Sequence, residues 1–217
     1  MKRLFLAVMF AAPVVVGLAG PFAVQAEEAA AKDPFTQGDA TAGATKATPC
    51  VACHGAGGNS AMPVWPNLAS QGSSYILHQL KAFKSGERKN PIMAAQAANL
   101  SDADMADIAA YMSLQKVRPG LASKDAVALA EPIFRGGDAT RGIPACASCH
   151  GPKGAGNPAA AYPRIGAQHD QYVAASLTAY KAGERGAGAQ GQMMQAVASK
   201  LTDQEIQALA SYVNGLQ

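Results

Sequence analysis

The sequence predicts an all-α protein built as two similar tandem domains. Three observations carry this. Apolar residues recur at helical spacing, as in Ile76, Leu80 and Phe83, and no stretch alternates with the period of two that a half-buried strand needs. The chain repeats itself over most of its length. The pattern C-x-x-C-H occurs twice, as Cys50-Val51-Ala52-Cys53-His54 and Cys146-Ala147-Ser148-Cys149-His150, and uses all four cysteines.

In chain order, residues 1–26 read as a signal peptide. Lys2 and Arg3 precede an apolar run from Leu4 to Leu18, and Val24-Gln25-Ala26 offers a small-residue cleavage site. Pro13, Gly17, Gly20 and Pro21 interrupt a run already short for a membrane span, which places a retained anchor second. Export to the periplasm is expected, because this cysteine usage suits an oxidising compartment. Residues 27–37 carry little to bury and are expected to be a disordered lead-in. The leader holds two of the 18 Lys and Arg and no acid, leaving 16 cations against 15 acids, a formal charge of +1. That balance speaks against a nucleic-acid partner.

An N-terminal domain is expected over 38–117, a linker over 118–123 around Arg118-Pro119-Gly120, and a C-terminal domain over 124–217. Gly38-Asp39-Ala40-Thr41 returns as Gly137-Asp138-Ala139-Thr140, and Pro66-Asn67-Leu68 as Pro163-Arg164-Ile165. Ala82-Phe83-Lys84-Ser85-Gly86-Glu87-Arg88 returns as Ala179-Tyr180-Lys181-Ala182-Gly183-Glu184-Arg185. The offset between copies grows from 96 at His54 and His150 to 101 at Tyr111 and Tyr212, which implies insertions in loops, mostly after Gly-Glu-Arg. Val173, Leu177 and Tyr180 repeat the apolar face of Ile76, Leu80 and Phe83, and Gly86 and Gly183 are the expected stops. Ser101-x-x-Asp104 and Thr202-x-x-Glu205 open the last helix of each half, the second as a capping box. Met105, Ile108 and Met112 then share one face, as do Ile206, Leu209 and Val213.

C-x-x-C-H is the attachment pattern of a c-type haem. Two thiols three positions apart lie on one side of a helical turn, where they can add to the two vinyl groups, and the next side chain carries an imidazole under the iron. A dithiol redox pair would need a βαβ context, which is missing. A closed zinc site would need a fourth ligand, and the other histidines, His78 and His169, are not equivalent between halves. Two covalently bound haem c groups are therefore expected, at Cys50, Cys53, His54 and at Cys146, Cys149, His150. The repeat also selects a sixth iron ligand. Of the methionines outside the leader, only Met93 and Met194 coincide, whereas Met193 matches Ile92, Met105 matches Ile206 and Met112 matches Val213. The competing role for both is core packing. A ligating imidazole usually donates its other N–H to a carbonyl or carboxylate, and the carbonyls of Pro66 and Pro163 are the candidates.

Two C-x-x-C-H sites, two matched methionines and a tandem repeat give the chain a resemblance to the dihaem cytochrome c4 family. The resemblance spans about Gly38 to Gln217 and includes the phrases Pro66-Asn67-Leu68-Ala69-Ser70-Gln71-Gly72 and Phe134-Arg135-Gly136-Gly137. It implies two class I cytochrome c domains related by pseudo-twofold symmetry, with the haems near the domain interface. It implies His54, Met93, His150 and Met194 as the axial residues. It also implies periplasmic electron transfer from respiratory donors to a terminal oxidase, with any membrane association running through those partners. One departure is the short segment between Gly86 and Met93. Two rival readings remain beside the carrier. One is a cytochrome subunit of a periplasmic dehydrogenase complex. The other is a dihaem peroxidase-like enzyme, disfavoured because two matched methionines leave neither iron open. The expected protein is no enzyme and has no catalytic residues.

Overall fold

A computed structural model describes residues 32–217. The expected signal peptide, 1–26, and residues 27–31 of the lead-in lie outside the described residues. Ten helices follow in order: α1 Ala40–Lys46, α2 Val51–His54, α3 Ser73–Ser85, α4 Pro91–Ala97, α5 Asp102–Leu114, α6 Lys124–Gly136, α7 Cys146–His150, α8 Asp170–Lys181, α9 Gly188–Ala198 and α10 Asp203–Gly215. Among the described residues there is no strand, only isolated bridges between Asp138 and Ile143 and between Asn157 and Tyr162. No described helix is long and apolar enough to cross a membrane.

Each half is organised on its last helix. In the first, α5 packs against α1 and α3; in the second, α10 packs against α6 and α8. Met105, Ile108 and Met112 are almost fully buried, as are Ile206, Leu209 and Val213. Phe134 of α6 is wholly buried, its ring 5.2 Å from that of Tyr212. Small residues permit the closest approach: a Cβ at Gly43 of α1 would collide with the backbone carbonyl of Asp107 in α5. Both last helices open with a capping box, so the Ser101 and Asp104 pair does with a shorter acid what Thr202 and Glu205 do. Gly86 ends α3 at φ 79°, and Gly183 follows α8 at φ 75°.

Three expectations change. The lead-in is ordered from Asp33, whose carboxylate accepts the N–H groups of Phe35 and Thr36 and the hydroxyls of Thr36 and Ser73. One acid thus folds the turn and docks it on the start of α3. Second, the larger insertion is helical. α4 has seven residues and α9 eleven, and their ends, Ala97 and Ala198, match in the repeat. Four extra residues add about one turn, which keeps Met194 on the face that Met93 occupies. Third, helices α4 and α9 themselves, unread in the sequence, carry the matched methionines. Asn90 caps α4 by accepting from Met93 N at 2.9 Å, with Pro91 in its first turn. The stretch 118–123 runs without helix between α5 and α6 and attaches to α10, Gly120 N donating to Asn214 O at 3.1 Å and Ser123 N to Ser211 Oγ at 3.0 Å.

An ion network ties α10 to the turn ahead of α7. The Arg141 guanidinium donates to both carboxylate oxygens of Glu205, at 2.7 and 3.0 Å, and to Asp138 at 2.6 Å. The two hydrogen bonds from Arg141 outweigh the opposing effect of burial and push the Glu205 carboxyl down from 4.5 to about 2. A depressed folded value means that this stabilisation is complete above pH 4.5 and is lost as pH falls from 4.5 to about 2. Glu205→Gln is therefore expected to destabilise the protein at pH 7 by about 1–2 kcal/mol, allowing for the solvent exposure of Arg141. In thermal melts followed by circular dichroism, the gap to the parent protein should narrow below pH 4.5 and close as pH falls to about 2.

Candidate functional site

The two C-x-x-C-H segments form short helices. α2 follows a 3-10 turn at Thr48–Cys50, so Cys50 and Cys53 fall on one side of one turn. α7 contains Cys146 through His150 entire. Gly55 and Gly151, at φ 74° and 79°, stop the helices directly after the histidines. A side chain at Gly55 would be strained there and would also strike the Asn59 carbonyl.

Both imidazoles are turned inward and buried. His54 Nδ1 lies 2.9 Å from Pro66 O, and His150 Nδ1 lies 2.8 Å from Pro163 O. A carbonyl can only accept, so Nδ1 carries the proton and the Nε2 lone pair is free. Burial pushes both imidazoles below their usual value, and the carbonyl only partly opposes it. Each is therefore neutral at neutral pH. Burial likewise raises the thiol of Cys50 and takes that of Cys146 up to about 11.

These side chains line one cavity of about 540 Å³ that runs through both halves. Cys50, Cys53, His54 and Met93 reach it from the first half, and Cys146, Cys149, His150 and Met194 from the second. Ile76, Leu80 and Phe83 and their counterparts Val173, Leu177 and Tyr180 form part of its wall, so the predicted apolar faces turn toward the cavity. Met93 and Met194 are half-buried, whereas Met193 is 46% exposed, like its repeat counterpart Ile92 at 58%. Met105 and Met112 belong to the core.

The halves meet at this cavity in matched pairs of contacts. Arg88 stacks on Phe83 and donates to Tyr172 Oη at 3.1 Å across the interface; Arg185 stacks on Tyr180 and donates to Tyr75 Oη at 2.7 Å. Burial would raise the Tyr172 phenol, but Arg88 and Arg185 outweigh it and bring it down to about 7. Among the described residues, neither guanidinium has a carboxylate partner. Unmatched positive charge beside an apolar cavity suits a large apolar ligand with acidic substituents, and haem is one. The thiols, free imidazole nitrogens and thioethers supply its other needs. Reading the sequence missed Arg88 and Arg185 as site residues, although the repeated Gly-Glu-Arg contained them. It also missed His169, whose Nε2 donates to Ser60 O of the other half at 2.9 Å.

The family model for cytochrome c matches the chain twice, over residues 40–116 and 142–217. The cytochrome c4 of Pseudomonas aeruginosa is 46% identical over 82% of this chain and 89% of its own. The chain belongs to the cytochrome c4 family. The crystal structure of reduced recombinant cytochrome c4 from Pseudomonas stutzeri superposes with a TM-score of 0.78, at 42% identity over 83% of this chain and 100% of that one. A relative from Thiomonas intermedia, described as a thiosulfate dehydrogenase electron acceptor, is 36% identical over 77% of this chain and 78% of its own. Two tandem cytochrome c domains, each with its C-x-x-C-H, carry two covalent haem c groups, and the protein is a dihaem electron-transfer protein. Replacing Cys146 and Cys149 together with Ala should reduce the intact-mass increment from two haem units to one and halve the Soret absorbance per chain.

Proposed function

We propose that this member of the cytochrome c4 family is a periplasmic electron carrier in which His54 and Met93 hold one iron and His150 and Met194 the other. The observation that carries this is the equivalence of the two halves at the cavity. Each presents a buried imidazole with Nε2 free and a half-buried thioether at the same place in the repeat. When bound, haem iron supplies a one-electron couple between ferric and ferrous states.

The chain sets the conditions for that couple. Pro66 and Pro163 fix the imidazole planes through Nδ1. The soft thioethers favour the reduced metal and raise its potential. The apolar walls exclude water, and Arg88 and Arg185 offer positive charge to the acidic substituents. With two ligands each, neither iron keeps a position for a substrate, which favours carrier over peroxidase. The reduced protein should bind carbon monoxide poorly at neutral pH. Met93→Ala or Met194→Ala should each open a single carbon monoxide site and lower one haem potential, whereas Met193→Ala should change little; optical redox titration under carbon monoxide distinguishes these outcomes.

The electrons are proposed to pass from respiratory donors to a terminal oxidase. A second donor class, a dehydrogenase acting on reduced sulfur compounds, is favoured by the similarity to the Thiomonas intermedia acceptor. Stopped-flow mixing separates the two. Reduction by quinol-oxidising membranes and reoxidation by oxidase-containing membranes are expected, both faster than the reaction with thiosulfate dehydrogenase. The reverse order would move the sulfur reading ahead.

A further inference from the structure

We propose that Gln71 and Gln168 are positioning residues, each tuning the haem of the opposite half through a single peptide unit. The inference rests on His54 and His150 being iron ligands, and it adds a determinant of their strength that lies in the other domain.

Consider the peptide between Pro66 and Asn67. Its carbonyl accepts from His54 Nδ1 at 2.9 Å. Its N–H, on Asn67, donates to Gln168 Oε1 at 2.8 Å, and Gln168 Nε2 returns a bond to Asn67 O at 2.9 Å. The other half repeats the pattern. Pro163 O accepts from His150 Nδ1 at 2.8 Å, Arg164 N donates to Gln71 Oε1 at 2.7 Å, and Gln71 Nε2 donates to Arg164 O at 2.8 Å. Each glutamine thus grips the residue directly after the proline that orients the opposite histidine. Both glutamines are buried, so water does not compete for these bonds.

The amide orientation is determined. Gln71 Oε1 also accepts from Gly72 N at 3.0 Å, and Gln168 Oε1 from His169 N at 3.0 Å. Two N–H groups therefore point at each Oε1, and a flip would set NH₂ against both. The backbone holds each glutamine in place. The preceding residues, Ser70 and Ala167, sit in the left-handed region at φ 57° and 62°. Their N–H groups donate to Met112 O at 3.2 Å and Val213 O at 2.8 Å, at the ends of α5 and α10. A non-glycine residue there is strained, and the same strain is held in both halves.

The consequence follows from conjugation. A peptide N–H that donates moves electron density onto its own carbonyl oxygen. The carbonyl then pulls harder on the Nδ1 proton, Nε2 becomes a stronger donor to iron, and the ferric state gains. Cross-domain docking therefore lowers the potential of each haem. Removing the acceptor should raise it, in the half that does not contain the substitution.

Gln71→Met and Gln168→Met test this in the full dihaem protein. Haem-methyl NMR signals, assigned through contacts to each half's own thioether cysteines, report each haem separately during a redox titration. Gln71→Met is expected to shift the oxidised-to-reduced ratio of the His150 haem three- to tenfold toward reduced, about 30–60 mV at 59 mV per decade. The reduced-state Nδ1–H signal of His150 should move upfield, and the His54 haem should stay in place. Gln168→Met should do the converse. Gln71→Glu keeps an acceptor for Arg164 N–H and should not raise the potential of the His150 haem; it also serves if the Met variant fails to fold. A shift confined to the haem of the mutated half, equal shifts in both, no shift, or a rise in the Glu variant would overturn the proposal. Low-spin, six-coordinate spectra in the wild type test the ligand reading independently.

Discussion

His54 and His150 each give their Nδ1 proton to a proline carbonyl, and much of the surrounding structure follows from that exchange. It requires the chain to leave the C-x-x-C-H helix at once, hence the glycines at positive φ. It requires the loop after that helix to return under the ring, so that Pro66 O and Pro163 O arrive 12 and 13 residues later. It fixes the tautomer, which leaves Nε2 facing the cavity. Because the proline carbonyl belongs to the same peptide as the N–H of Asn67 or Arg164, it also brings each histidine within reach of the opposite domain.

The cavity explains why the helices alone are an incomplete core. About 540 Å³ walled largely by apolar side chains lacks the packing partners that a close-packed interior needs. Haem here is thus structural as well as redox-active, filling space that Ile76, Leu80, Phe83 and their counterparts face. The halves share this space, and matched hydrogen bonds from Arg88, Arg185, Gln71 and Gln168 close it with pseudo-twofold symmetry.

The repeat is held to differing tolerances. The loop from histidine to proline differs by one residue between halves, but from Pro66 to Arg88 and from Pro163 to Arg185 the spacing is the same to the residue, because the interface side chains there meet fixed groups of the other half. At the helix bearing the methionine, four residues are added without moving the register. A whole turn is the insertion a helix absorbs without rotating its far end. The first half manages with Asn90 and Pro91 in place of that turn.

The amino-acid sequence by itself determined the elements whose signal is local. Helical periodicity, the capping residues of α5 and α10, the stop at Gly86 and the C-x-x-C-H spacing all act within a few residues, so each is legible in one dimension. The repeat went further and singled out Met93, Met194, Pro66 and Pro163, because duplication makes one half a control for the other. Helices α4 and α9 escaped notice because their short apolar stretches carry a weak period. The docking of Asp33 on Ser73 was likewise invisible, since it joins residues 40 positions apart. Only the tertiary structure decided that Gln71 and Gln168 grip opposite domains, that Arg88 and Arg185 stand beside tyrosines of the other half, and that both sites open into one cavity. Those contacts span 84 to 110 residues, and nothing local encodes them: a glutamine amide reads the same in any loop until a folded partner offers it a carbonyl and an N–H together.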